Sequence, residues 1–413
     1  MSTPAPKSPL LSLDDALAAL LDAVQPLAAA EAQALSTFDA LGRVLADDVR
    51  SGLNVPPEDN SAMDGYALRV ADVPAAGTVL PVSQRIPAGV VGTPLQPGTA
   101  ARIFTGAQVP AGADAVLMQE LCEAVDGGVK FNAVPARGQA IRRRGEDVQA
   151  NAVVLQKGIR LTPQALGMAA SVGAGSLRVM RQPRVALFST GDELAMPGEP
   201  LKPGAIYNSN RFTLRGLLQS LGCEVIDLGI VVDKLGATRE ALRRAAEVSD
   251  LILTCGGVSV GEEDHLKPAV EAEGRLTLWQ MAIKPGKPLA FGAVRREGGG
   301  DAWFIGLPGN PVSAFVTFLL AVRPVLLRLQ GASELAPKAM SLRADFDWPK
   351  PDRRREFLRA RLNASGGLDL FPNQGSGVLT SVVWGDGLVD TPPAKAIARG
   401  DTVRFLPFAD LLA

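Results

Sequence analysis

Between residues 184 and 330, uninterrupted apolar runs alternate with amphipathic stretches, and this alternation constrains the fold more than any other feature of the chain. Residues 185–189 and 251–254 are apolar at almost every position, so a strand at either place needs cover on both faces. Between them, Leu214, Leu217, Leu218 and Leu221 recur at i, i+3, i+4 and i+7, the spacing of one helix face. A strand over 224–232 and a helix over 238–248 continue the alternation, with further strands near 276–283, 289–294 and 303–305. A helix over about 311–329 closes the zone. The pattern predicts a parallel sheet sandwiched between two helical layers.

The rest of the chain reads differently. A helix is predicted from about Ser12, where Ser12 and Asp15 fit a capping box, to Pro26. From about 49 to 134, short β-prone runs alternate with Gly and Pro turns, and Asp126-Gly127-Gly128 reads as a hairpin turn. Thr162 followed by Pro163 predicts the start of another helix. The expected organisation is a discontinuous body from 1–48 and 137–182, an inserted β domain over 49–136, the α/β domain over 183–331 and a small β domain over 332–413. A chain of 413 residues has room for several such units.

Composition removes several chemistries. His265 is the single histidine, which leaves little room for a Ser-His-Asp triad or a His-rich metal site. Cys122, Cys223 and Cys255 stand far apart, which argues against a disulfide framework and for a reduced, cytoplasmic setting. The net charge of −1 gives no general affinity for nucleic acid. The longest apolar stretch, 314–329, is interrupted by Arg323, Pro324 and Arg328, so no membrane span is expected. Enzymatic chemistry here would rest on carboxylates, lysines, arginines and backbone amides.

In open α/β sheets, ligands bind beyond the carboxyl ends of the strands. Five loops at that edge are rich in such groups: Thr190-Gly191-Asp192-Glu193, Asp233, the 255–264 segment, Lys284-Pro285-Gly286-Lys287 and Pro308-Gly309-Asn310. Gly256, Gly257, Ser259 and Gly261 would let backbone amides approach an anion, although the segment is neither a P-loop nor G-x-G-x-x-G. Lys284 and Lys287 flank a stiff Pro-Gly turn and suit an oxyanion. Glu193, Asp233 and Asp264 suit a hard cation such as Mg²⁺, although each acid taken alone is more simply a helix cap or a surface group.

Six segments, DNSAMDGYA at 59–67, RRRGED at 142–147, FSTGDEL at 188–194, GGVSVGEED at 256–264, IKPGKP at 283–288 and GLPGNPVS at 306–313, together resemble the MoeA family of molybdopterin molybdenumtransferases, which includes the E domain of gephyrin. The resemblance implies a subunit with an elongated helical dimerisation domain, two small β domains and a three-layer molybdopterin-binding-type α/β domain. It implies a homodimer with its site between the α/β and C-terminal domains of one subunit and the inserted domain of the other. The implied reaction inserts molybdate into adenylylated molybdopterin and releases AMP, with Mg²⁺ assistance. The implied catalytic residues are Asp59, Asp147, Asp264, Lys284 and Lys287, with metal ligands Glu193, Asp233 and Asp264. Substrate would be held by Thr190, Gly191, Asp192, Gly256, Gly257, Ser259, Gly261, Pro308, Asn310, Ser313, Arg355 and Ser376. Partner proteins implied are the molybdopterin adenylyltransferase and molybdoenzyme maturation proteins. The alternatives are the adenylyltransferase activity itself and a non-catalytic, gephyrin-like scaffold.

Overall fold

The computed structural model of the protein describes residues 10–258 and 265–412. A six-stranded sheet forms its centre, in the order Glu224–Val231, Arg184–Thr190, Leu251–Cys255, Asp301–Leu307, Pro288–Arg295, Gly274–Gln280. The first four strands are parallel. Pro288–Arg295 is antiparallel to both of its neighbours, so the sheet is mixed and not wholly parallel as the sequence pattern suggested. The cause lies in the short link at 296–300: a few residues can close a hairpin, whereas a parallel return needs about a dozen or more. Because Gly274–Gln280 is antiparallel to the reversed strand, it points the same way as the first four. Five carboxyl ends therefore open on one edge.

Alternate residues of each strand feed opposite layers, as the two-residue strand period requires. Val185, Leu187, Leu253 and Ile305 pack with helices Ser209–Ser220 and Pro311–Thr317 on one face. Ala186, Phe188, Ile252 and Phe304 pack with helices Leu235–Val248 and Leu266–Glu273 on the other. The helical run Pro311–Leu329 is long and apolar enough to cross a bilayer by composition, yet 94% of its most apolar window is buried inside this domain. A π-turn, Phe318–Val322, divides it just before Arg323 and Pro324.

The N-terminal helix Leu13–Ala23 starts where predicted, with the Ser12 hydroxyl accepting from the Asp15 amide at 3.0 Å. Its buried face (Leu13, Ala16, Leu20) and Val24 join the α/β core beside Leu319, Val322 and Val325. It does not help to form a separate helical body. The region between that helix and residue 182, apart from the inserted β domain, has one α-helix among the described residues, Pro163–Ser171, together with two-stranded pairings such as Ala32–Ser36 with Ser176–Met180. The expected helical dimerisation domain is thus mainly β in its own fold. In Ser176–Met180, Leu177 and Val179 are buried while their polar neighbours face out, a period that selects a strand.

The inserted β domain has a four-stranded sheet (Val82–Ile86, Ala100–Ile103, Gly65–Leu68, Ala115–Met118) and a three-stranded one. Asp126 and Gly127 form the two-residue hairpin turn there, with Gly127 at φ +83°. The C-terminal sheet runs Ile283–Lys284, Arg355–Leu362, Gly387–Thr391, Thr402–Pro407, Met340–Arg343. Its first strand belongs to the lysine loop, so that loop is stitched into the neighbouring domain.

The 28–182 region is fastened to the α/β sheet through Asp250. Its carboxylate accepts both Arg181 Nη groups at 2.7 and 2.9 Å and the Arg184 amide at 2.8 Å. Burial alone would raise this carboxyl, but those bonds outweigh it and hold it below the usual carboxylate range. Asp250→Asn should cost about 3 kcal/mol near neutral pH, because it breaks a largely buried pair. The folded pKa is the lower one, so the contribution is complete above the ordinary carboxylate range and disappears as pH falls through the folded value. Denaturation of wild type and variant at neutral and strongly acidic pH should show the stability gap closing on acidification; a gap independent of pH would contradict the assignment.

Candidate active site

A cleft of about 530 Å³ opens at the carboxyl edge of the sheet. Its floor is Ser189 and Thr190 at the end of one strand and Cys255 and Gly256 at the end of the next. Asn208 and Asn210 come from the start of helix Ser209–Ser220, and Gly309 and Asn310 from the turn before Pro311–Thr317. Glu193 stands at the rim. Gly377, from the C-terminal domain, completes the wall.

Local sequence dictates this close approach. Gly256 sits at φ +95°, and a Cβ there would lie 2.8 Å from the Thr190 carbonyl oxygen, so only glycine lets the two strand ends meet. Asn210 then ties the two neighbouring turns together. Its Nδ2 donates to the Gly309 carbonyl at 2.7 Å and to Cys255 Sγ at 3.0 Å. Cys255 in turn donates to the Pro308 carbonyl at 3.1 Å. Burial pushes the Cys255 thiol up to about 12, so it stays a neutral thiol and acts as a structural donor. Ser189 Oγ and Asn208 Nδ2 are buried beneath the cleft without a hydrogen-bond partner among the described residues.

The lysine loop and the polar 373–377 loop flank the start of the 311–329 helix. A Cβ on Gly286, which has φ +110°, would come within 2.3 Å of Thr317 Oγ1, so the loop lies directly on that helix. From the other side, the Val312 amide donates to the Ser376 carbonyl at 3.0 Å. Lys284 does not stand free: its Nζ is 3.2 Å from Glu356 and 3.4 Å from Asp352. Lys287 is exposed and forms no ion pair among the described residues.

The arginine triplet resolves into three different roles. Arg355, expected to bind the anion, is engaged by carboxylates in this structure. Its guanidinium grips Asp390 at 2.6 and 2.7 Å and reaches Asp14 at 3.1 Å, which couples the N-terminal helix to the C-terminal sheet. Arg354 is held by Asp352, with bonds of 3.0 Å from Nε and Nη2. That pairing keeps the Asp352 carboxyl well below the usual range despite partial burial. Arg353 alone is exposed and forms no ion pair among the described residues.

Sequence reasoning missed Arg359. It is fully buried with no carboxylate partner among the described residues, donating to Ser381 Oγ at 3.0 Å and to the Phe357 and Gly375 carbonyls at 3.2 Å. Burial lowers its pKa to about 10. Gln374 locks the same strand through the Arg359 amide and carbonyl. Arg359 therefore supports the loop that carries Ser376 and Gly377. Its signal in the sequence, an arginine amid the apolar 356–360 run, looked like part of an ordinary strand.

Of the residues expected to form the site, Thr190, Glu193, Gly256 and Asn310 line one cleft, with Gly191 and Asp192 in its rim loop and Pro308 bonded beneath it. Ser313, nearly buried, lies in the first turn of the adjacent helix. Gly257 follows Gly256 at φ +67°. Ser259, Gly261 and Asp264 lie outside the described residues. Asp233 is half-buried just past the end of Glu224–Val231. Among the described residues, no three acidic, Cys or His side chains gather as a metal site.

Asp59 and Asp147 do not line this cleft. Asp59 instead orders the arginine turn, accepting from Arg143 Nη1 at 2.7 Å and the Arg144 amide at 2.8 Å. Burial would raise its carboxyl, and these two bonds outweigh that effect and hold it low. Asp147 is exposed, with its amide donating to the Val55 carbonyl at 3.0 Å.

Three family models match in order: the MoeA N-terminal region (domains I and II) over 11–173, the probable molybdopterin binding domain over 186–328 and the MoeA C-terminal region (domain IV) over 341–408. A molybdopterin molybdenumtransferase of Haemophilus influenzae is 40% identical, with 98% of this chain and all of that protein covered. One from Bacillus subtilis is 33% identical over 91% of this chain and 90% of its own length. The crystal structure of the molybdopterin biosynthesis protein MoeA from Pyrococcus horikoshii superposes with a TM-score of 0.83 at 30% identity, covering 97% of this chain and 100% of that one.

Gly256→Ala should lower the thermal midpoint by the equivalent of about 1–3 kcal/mol, because the left-handed backbone and the Thr190 carbonyl both oppose a methyl group. A thermal melt matching wild type would show that the two strand ends are not in contact.

Proposed function

This chain belongs to the MoeA family, and we propose that it inserts molybdate into adenylylated molybdopterin, forming molybdenum-molybdopterin and releasing AMP. It is a molybdopterin molybdenumtransferase by family. The observation that best supports the residue-level reading is the polar cleft at the carboxyl edge of the sheet, lined by Thr190, Gly256 and Asn310 with Gly377 from the C-terminal domain. Lys287 and Arg353 lie outside that lining; both are exposed and form no ion pair among the described residues.

Molybdate is a tetrahedral dianion, so binding it needs donors and net positive charge. Lys287 supplies a mobile ammonium, and Arg353 a guanidinium with all five N–H groups available to solvent. Lys284 plays a second part: its ammonium, neutralised by Glu356 and Asp352, fixes the loop that presents Lys287. Thr190, Gly256 and Asn310 line the deeper cleft, where the pterin-AMP phosphates would lie beside backbone amides. Each contact gains strength as charge builds on the departing phosphate, which is how such a cradle accelerates the reaction.

Magnesium belongs to the reading as an assisting ion held by Glu193, Asp233 and Asp264. The described residues do not by themselves compose that site, and no step here passes through the metal. Asp59 and Asp147 line no part of the cleft in one chain, so a homodimer would bring them to the partner's cleft. The cytoplasm suits three free cysteines.

The direct experiment mixes the protein with adenylylated molybdopterin and follows AMP with and without molybdate. Molybdate-dependent AMP release supports the function; ATP consumption with molybdopterin and no AMP release from the adenylylated form would point to the adenylyltransferase. Lys287→Met should lower molybdate-dependent kcat/KM by about tenfold or more, mainly by raising the KM for molybdate, since a charge-assisted contact is worth about 1.5–3 kcal/mol. Arg353→Met should act in the same direction. Unchanged molybdate KM in both variants would remove these cations from the site.

A further inference from the structure

Two guanidinium groups far from the cleft in sequence are buried or half-buried without a carboxylate. Arg160 lies in the turn that precedes helix Pro163–Ser171. Its Nε donates to the Gly42 carbonyl at 3.1 Å and its Nη2 to the Ser220 carbonyl at 2.8 Å. Arg323 is only 6% exposed. Its two Nη groups donate to the Leu335 and Asp410 carbonyls at 3.2 Å, while Nε is buried with no acceptor among the described residues. Neither forms an ion pair among the described residues. Burial lowers the pKa of each; at Arg323 the nearby Asp410 charge offsets part of this, and repulsion from Arg160 is a smaller lowering effect.

Both arginines line one cleft of about 490 Å³, where the 158–163 turn meets the end of the long core helix. Lys338 adds a third positive charge, and Thr162 and Ser333 add hydroxyls. Two acids, Glu334 and Asp410, also line it. Asp410 is already engaged, since its Oδ2 accepts the Lys338 amide at 2.8 Å; its charge acts on Arg323, but it forms no ion pair with either guanidinium among the described residues. The backbone also departs from regularity here. Pro324 cannot donate a helix hydrogen bond, and the π-turn Phe318–Val322 immediately before Arg323 absorbs that break. Such π-turns are frequent at functional sites.

Unpaired cations held in low dielectric are costly, and two facing one cleft add mutual repulsion. A ligand that returns negative charge would relieve both. We propose that this cleft is a second anion site, taking a tetrahedral oxyanion between Arg160, Arg323 and Lys338 and thereby clamping the 158–163 turn to the α/β domain. The occupant is an inorganic oxyanion or the phosphate end of a larger molecule such as a nucleoside monophosphate. The lining residues are separate from the cleft at the sheet edge.

The test uses the full-length protein in two backgrounds, wild type and Lys287→Met/Arg353→Met, the latter lacking the two cations assigned to molybdate. Inorganic phosphate and AMP are titrated separately against each, with chloride at matched ionic strength as control, and binding is read by calorimetry and by the thermal midpoint. Phosphate should bind and stabilise both backgrounds alike, and Arg160→Met should weaken that binding about tenfold or more while leaving molybdate-dependent AMP release unchanged. AMP binding at the same site, displaced by phosphate, would identify the larger occupant; phosphate alone would identify the inorganic one. Should Arg160→Met melt early without ligand, Lys338→Met, whose ammonium is exposed, gives the same readout. Phosphate binding that vanishes in Lys287→Met/Arg353→Met, or that survives in both Arg160→Met and Lys338→Met, would overturn the proposal. So would stabilisation by phosphate no greater than by chloride.

Discussion

The first two turns of the 311–329 helix are the constraint on which the site depends. The lysine loop lies against Thr317 through Gly286, the 373–377 loop bonds to the Val312 amide through Ser376, and the 308–310 turn leads directly into Pro311. Three chain segments from two domains are therefore positioned by one buried element. That element is itself fixed by the sheet beneath it, with Val312, Phe315 and Val316 in the main core cluster. Packing rather than polar contact thus sets the distance between the groups that would meet substrate.

Charge distribution follows from the same arrangement. Most cations near the site are neutralised by a named carboxylate: Lys284 by Glu356 and Asp352, Arg354 by Asp352, Arg355 by Asp390. Those pairs hold loops in place. Lys287 and Arg353 form no ion pair among the described residues, and the proposed function gives the dianion to them. Buried Arg359 sits between these classes, without a carboxylate but satisfied by a hydroxyl and two carbonyls. A near-neutral chain can therefore present local positive charge without any excess of basic residues.

The periodicity of the sequence made the α/β domain legible, whereas the layer that each residue of 185–188 faces came from the packed structure. Periodicity also located the loops at the sheet edge, because strand ends are set by the same pattern. Three things were not legible. The reversal of Pro288–Arg295 depends on the length of one short link, not on the strand's own residues. The role of each arginine in 353–355 depends on which acids the fold brings near, and Asp14 and Asp390 are 341 and 35 residues away from Arg355. Asn210 carries no sequence signal of its own, and only the closeness of Cys255 and Gly309 shows it bridging two turns. Local signals specify elements, while side-chain partnerships between distant segments are decided by packing.

The central claim is that molybdate is received where the lysine loop and the 373–377 loop flank the 311–329 helix. Crystals of the protein soaked in molybdate, with an anomalous difference map recorded at the molybdenum edge, test it most directly. The strongest peak should lie within reach of Lys287 and Ser376. A strongest peak beside Arg355 and Asp390, or none near Lys287, would contradict it.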